Sequence, residues 1–156
     1  ADKRILASCE RLSVYEAEEG SLQSLLPVEP VDLGEQLWRL SAVGDDRPIL
    51  LVSNDPHIGM LERIRNDPFL QGVILPEAIR RALEHLLRHP PDGDDDEGSW
   101  NARWRRYLTG LGVEIPGDLD DADDVVVTQA GWINEATSVI ASNLKFKTKA
   151  VAALPG

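Results

Sequence analysis

The apolar residues of this chain change their period once, between residues 53 and 56, and that change divides what each part can become. Before it, Leu12, Val14 and Glu16 alternate with Ser13, Tyr15 and Ala17, QLWRLSA (36–42) alternates again, and ILLVS (49–53) is apolar throughout. Alternation marks a strand with one wet face, and a continuous apolar run marks a strand covered on both faces. EEGS (18–21), followed by LQSLLPV, and GDDRP (44–48) supply turn signals, while PVEPVDLGE (27–35) holds two prolines and a glycine and reads as an extended loop. Residues 4–53 therefore predict three or four strands in a small antiparallel meander, with ILLVS as the central strand.

After the change the spacing is helical. Asn-Asp-Pro occurs at 54–56 and again at 66–68. Aspartate is a strong N-cap because its carboxylate accepts from the free N–H groups of the first turn, and proline suits the next position, where no N–H is needed. The tripeptides predict a helix over about 56–65 and a short turn over 68–71. Convergence of Asp55, His57 and Asp67 on a ligand is disfavoured, because both carboxylates have local partners. A third helix is predicted to begin at Pro76, with Ile79, Leu83, Leu86 and Leu87 as its apolar stripe and Pro90-Pro91 as its stop. Ser99 caps a fourth, with Trp100, Trp104, Tyr107, Leu108 and Leu111 on one side. A last helix over about 121–147 carries Val126, Ile133, Ile140 and Leu144, and VAALPG after it is either frayed or docked. Strands followed by helices give an α+β class. A small N-terminal antiparallel sheet packs on three or four C-terminal helices in a single domain, 1–156, strand-rich over 4–53 and helical over 55–147.

Charge sharpens the outline. The net charge is −11. Residues 90–98 carry five acids and residues 112–124 six, with no base in either stretch, so the rest of the chain balances 16 acids against 16 bases. The expected architecture is a near-neutral body with acidic, mobile loops at 90–98 and 112–120, since apolar-poor segments of one charge sign resist packing. Such a chain suits sequence-independent nucleic-acid binding poorly, because that rests on Lys and Arg neutralising phosphates. No run of about 18 apolar residues offers a membrane span. Cys9 is the one cysteine, which rules out an internal disulfide and a cysteine zinc cage. The first residues lack a signal-peptide core and an initiator Met, so a cytoplasmic chain, processed or part of something longer, is expected.

Two constellations could carry function. His85 and His89 stand four apart in EHLLRH (84–89), so both rings project from one side of a helix, a spacing that can supply two ligands to a divalent metal. The general-base glutamate of a HExxH motif is replaced by Leu86, and histidines in a last helical turn also satisfy free carbonyls. Trp100, Arg103, Trp104 and Tyr107 form the second group. Aromatic and Arg side chains are enriched at interface hot spots, but tryptophans four apart on a helix more often anchor a core. The acidic stretches fail the calcium-loop pattern: counted from Asp92 the sixth and twelfth residues are Glu97 and Arg103, and from Asp118 they are Asp123 and Gln129. No GxxxxGK[ST], GxGxxG or GxSxG occurs. The leading expectation is a non-enzymatic interaction or assembly module whose partner is protein or a second copy. The first alternative is a metal-dependent enzyme or sensor on His85 and His89. A weaker one, for which no residue argues, is a subunit of a bacterial nucleic-acid-processing or defence complex.

Overall fold

A computed structural model describes residues 21–89, 98–116 and 122–155, with the side chains of 122–128 excepted. The expected strand at 12–17, Cys9, the side chain of Val126 and residues 90–97 and 117–121 of the two acidic stretches lie outside the described residues.

The chain begins with α1 (Leu22–Leu25), a single turn capped by the Ser21 side chain. Three strands follow: β1 (Val28–Val31), β2 (Trp38–Ser41) and β3 (Ile49–Ser53). The helices are α2 (Met60–Asn66), α3 (Pro68–Arg88), α4 (Trp100–Gly110), α5 (Ala122–Leu144) and α6 (Phe146–Ala153). The α+β class and the three-strand sheet on the N-terminal side match the sequence expectation. The sheet order is β1-β3-β2. ILLVS is thus central, as its unbroken apolar run required, with Leu50 and Val52 fully buried.

The strand pairing departs from a meander. β2 runs antiparallel to β3, with Leu40 opposite Leu50, but β1 runs parallel to β3, with Val28 opposite Leu50. VEPV, expected in a loop, is therefore an edge strand. Proline is tolerated there because an edge strand need not donate along its whole length.

The two Asn-Asp-Pro tripeptides have different fates. Asp67 is an N-cap: its Oδ1 accepts from the backbone N–H of Phe69 and Leu70, with Pro68 at the first helical position. Asp55 instead closes a turn, its Oδ1 accepting from the His57 N–H at 2.9 Å. Gly59 then adopts a left-handed conformation (φ 65°) and delays α2 until Met60.

The largest correction concerns α3. The short turn at 68–71 and the separate helix from Pro76 are one helix of 21 residues with Pro76 inside it. Proline costs an interior helix about 3 kcal/mol. Fully or nearly buried Ile74, Ala78, Ile79, Ala82, Leu83 and Leu86 outweigh that, at roughly 1.5–3 kcal/mol for each large aliphatic side chain taken from water. They meet Leu50 and Val52 of the sheet, Trp104 and Leu108 of α4, and Ile133, Ala136 and Ile140 of α5 in one core. The last predicted helix is divided at Lys145, whose left-handed backbone (φ 57°) ends α5 and returns α6 onto α3.

Candidate functional site

The two histidines and the first tryptophan of α4 come together at the C-terminal end of α3. His85 is buried (2% exposed) and stacks on Trp100, with ring centroids 5.0 Å apart and planes 10° from parallel. Its Nε2 lies 2.7 Å from the Asp46 carbonyl oxygen, in the turn between β2 and β3. A carbonyl only accepts, so that nitrogen carries the hydrogen. His89 Nδ1 stands 3.0 Å from the His85 carbonyl and by the same argument donates. Trp100 Nε1 donates to the Asp45 carbonyl at 2.8 Å, and Asn101 Nδ2 donates to the His89 carbonyl at 3.0 Å. His85 and Trp100 therefore fasten the β2–β3 turn, while His89 and Asn101 satisfy carbonyls that the end of α3 leaves free.

Each histidine keeps one ring nitrogen outside these bonds, His85 Nδ1 and His89 Nε2. The latter lies 3.4 Å from Asp45 Oδ1, whose side chain is fully exposed. Among the described residues, no group of three or more His, Cys, Asp or Glu is arranged to hold a metal ion. A cleft of about 520 Å³ opens beside the cluster, lined by Asp45, Asp46, Arg47, Trp100 and Arg103 among others. Its charges balance, and its guanidinium groups are engaged: Arg47 Nη2 donates to the Ser24 carbonyl at 2.9 Å and Arg103 Nη2 to Ser24 Oγ at 3.2 Å.

The four residues singled out on α4 thus separate by depth. Trp104 has no exposed surface and packs edge-on against Tyr107, with centroids 6.3 Å apart. Tyr107, Trp100 and Arg103 are half-buried. A partner on this helix would have to meet Trp100, Arg103 and Tyr107, because Trp104 belongs to the core. Arg105, next along the helix, has a buried Nε without a hydrogen-bond partner, and burial lowers its pKa.

The sequence reading missed a second surface, where α6 crosses α3. A Cβ placed on Gly72 would stand 3.5 Å from the Phe146 carbonyl oxygen and 3.7 Å from the Ala150 Cβ, so the two helices meet at that turn. Large apolar side chains border the crossing in the open: Phe69 (47% exposed) and Val73 (60%) on α3, Val151 (60%) and Leu154 (50%) on the α6 side. Each of the four is about half exposed, so apolar surface remains in water on both helices of the crossing. The available signals were the four-residue spacing of Phe69 and Val73 and the apolar tail VAAL.

The chain matches no known family model, no curated protein and no solved structure. No described helix is long and apolar enough to cross a membrane.

Proposed function

We propose that this chain is a protein-interaction or assembly module that docks its partner on the face where α3 and α6 cross. The observation that carries the reading is the exposed quartet Phe69, Val73, Val151 and Leu154 around that crossing. Of the large apolar residues that stand exposed among the described residues, Leu37 and Val43 lie in the loops on either side of β2, while these four lie on the two crossing helices, where they stay in water at a cost that a partner would recover. The surroundings of His85 and His89 support a structural role for them, since both rings hold backbone carbonyls that would otherwise lack donors.

The test compares two sets of variants in capture from the source cell extract and in solution mass. A Val73→Ser/Val151→Ser variant that melts like the parent is expected to lose the captured protein, or the higher mass if the partner is a second copy. A Trp100→Ala/Arg103→Ala variant is expected to keep it. Retention by the first and loss by the second would move the interface to α4 and defeat the reading.

A further inference from the structure

We infer that two copies of this chain join through the outer edge of β2, antiparallel across a two-fold axis at Leu40, so that their sheets run on as one. This contact is separate from the α3–α6 face and stands without it.

Hydrogen-bond direction identifies the open edge. The Ser53 N–H donates to the Leu37 carbonyl, so Leu37, Arg39 and Ser41 turn their backbone groups towards β3, while Trp38 and Leu40 turn theirs outward, as alternation in an antiparallel pair requires. Those outward groups have no hydrogen-bond partner among the described residues. The other edge of the sheet is blunted. On β1 the Pro27 and Val31 carbonyls accept from the Leu50 and Asn54 N–H groups, which leaves Val28 and Pro30 facing out, and Pro30 has no N–H to offer. β2 holds neither proline nor acid. One usable edge per copy lets the pairing close at two chains, with the strand order β1-β3-β2-β2-β3-β1.

The register follows from which residues fall opposite each other. With Leu40 on the axis, each Leu40 N–H meets the Leu40 carbonyl of the other copy, and Arg39 stands opposite Ser41 of the other copy. Trp38 and Leu40 are half-buried and pack against the core on the face of Leu50 and Val52, so the two copies extend one apolar layer across the junction. Exposed Leu37 and Val43 stand three residues before and after Leu40, and the same axis sets Leu37 of one copy opposite Val43 of the other. Among the described residues these are the exposed large apolar side chains outside the α3–α6 crossing. An axis at Arg39 would put that arginine directly on its own copy, where like charges destabilise the pair. An axis at Trp38 would set Leu37 against Arg39 and leave Val43 in water. An extended segment of an unrelated protein would use the same backbone groups, but the equal spacing of Leu37 and Val43 about Leu40 selects a second copy.

Sedimentation equilibrium of the full chain, from the micromolar range up to about 1 mM, reads the mass. Growth from one chain to two, and no further, is expected as concentration rises. Leu37→Lys/Val43→Lys sets like charges opposite each other at exposed positions and should raise the dimer Kd roughly tenfold or more, while Leu37→Glu/Val43→Lys should restore it. Val73→Ser/Val151→Ser should leave it unchanged. Disulfide trapping in a Cys9→Ser background reads the register, because residues directly opposite on paired strands are within disulfide reach. Arg39→Cys mixed with Ser41→Cys should cross-link on mild oxidation well ahead of Arg39→Cys alone. A single chain at every concentration, or a dimer indifferent to the lysine substitutions, would overturn the inference. Loss of the dimer in the serine variant would place the contact on the α3–α6 face and overturn it as well. Faster cross-linking of Arg39→Cys alone than of the mixture would move the axis to Arg39 and refute the pairing at Leu40.

Discussion

Replacing Pro76 by alanine tests the continuous α3 directly. In the interior of a helix, proline is about 3 kcal/mol worse than alanine, because it lacks an N–H and its ring crowds the carbonyl four residues back. Here that carbonyl belongs to Gly72, at the crossing with α6. Two effects oppose the gain. Proline restricts the unfolded chain, so its loss returns about 0.4–1 kcal/mol of entropy to the denatured state. The half-buried ring also gives up part of two methylenes, roughly 1 kcal/mol. The net expectation is that Pro76→Ala stabilises by about 1 kcal/mol. In a chain of this size that raises Tm by about 2–4 °C. Urea titration followed by far-UV circular dichroism reads the free energy, and a scanning melt reads Tm. If Pro76 instead stood at the first position of a separate helix, proline would be the favoured residue there and alanine would gain nothing. An unchanged or lowered midpoint would therefore refute an α3 that runs unbroken through Pro76.

Two further expectations concern the C-terminal end of α3 and the exposed side of α4. His85→Ala removes a stacked, buried ring and leaves the Asp46 carbonyl without its donor, so a loss of about 2–4 kcal/mol is expected. His89→Ala, at a half-exposed helix end, should cost no more than about 1 kcal/mol, and chelator should shift neither melt; a chelator-sensitive parent would point to a metal at the pair. Burial lowers the pKa of Arg105, so the folded state disfavours its cation at neutral pH, and stability would recover only as pH rises through the folded pKa. Arg105→Met removes that opposition together with an unpaired buried Nε, and is expected to be neutral or stabilising by up to about 1 kcal/mol, the gain being small because much of the side chain stays in water. A clear drop in Tm would refute it.

What could be read from the sequence depended on whether one local signal dominated. ILLVS was legible as the central strand because an unbroken apolar run has few other uses, and Asp67 was legible as a cap because its chemistry is local. The apolar stripe at Ile79, Leu83 and Leu86 was legible for the same reason, and all three are fully buried. The parallel partnership of β1 with β3 was not, since it is decided by which edge remains open once β2 has turned back. Asp55 shows the limit of even a strong signal. It has the chemistry of a cap and makes the expected bond, yet Gly59 takes the chain through a left-handed step before the helix can start.

The proposed docking face was hidden by the residues that build it. Gly72 and Pro76 are both unfavourable inside helices, and their presence within one turn broke the predicted α3 into pieces. With the helix broken, Phe69 fell in the short turn predicted over 68–71 and Val73 between that turn and the helix predicted from Pro76, so the two shared no predicted face. In the folded chain Gly72 faces Phe146 and Ala150 of α6 at a distance where an alanine Cβ would make ordinary van der Waals contact, and Pro76 withholds an N–H from the Gly72 carbonyl beside that crossing. Lys145 contributes from the other side, since its left-handed backbone returns α6 towards α3 where a continuous helix would have carried it away. Each of the three departures from helical preference costs free energy locally, and each is met at the same crossing. A chain needing only a stable core could have placed alanine at 72 and 76 and lost none of the buried aliphatic contacts of α3. The concentration of unfavourable backbone choices at one crossing is the reason propensity alone misread this segment.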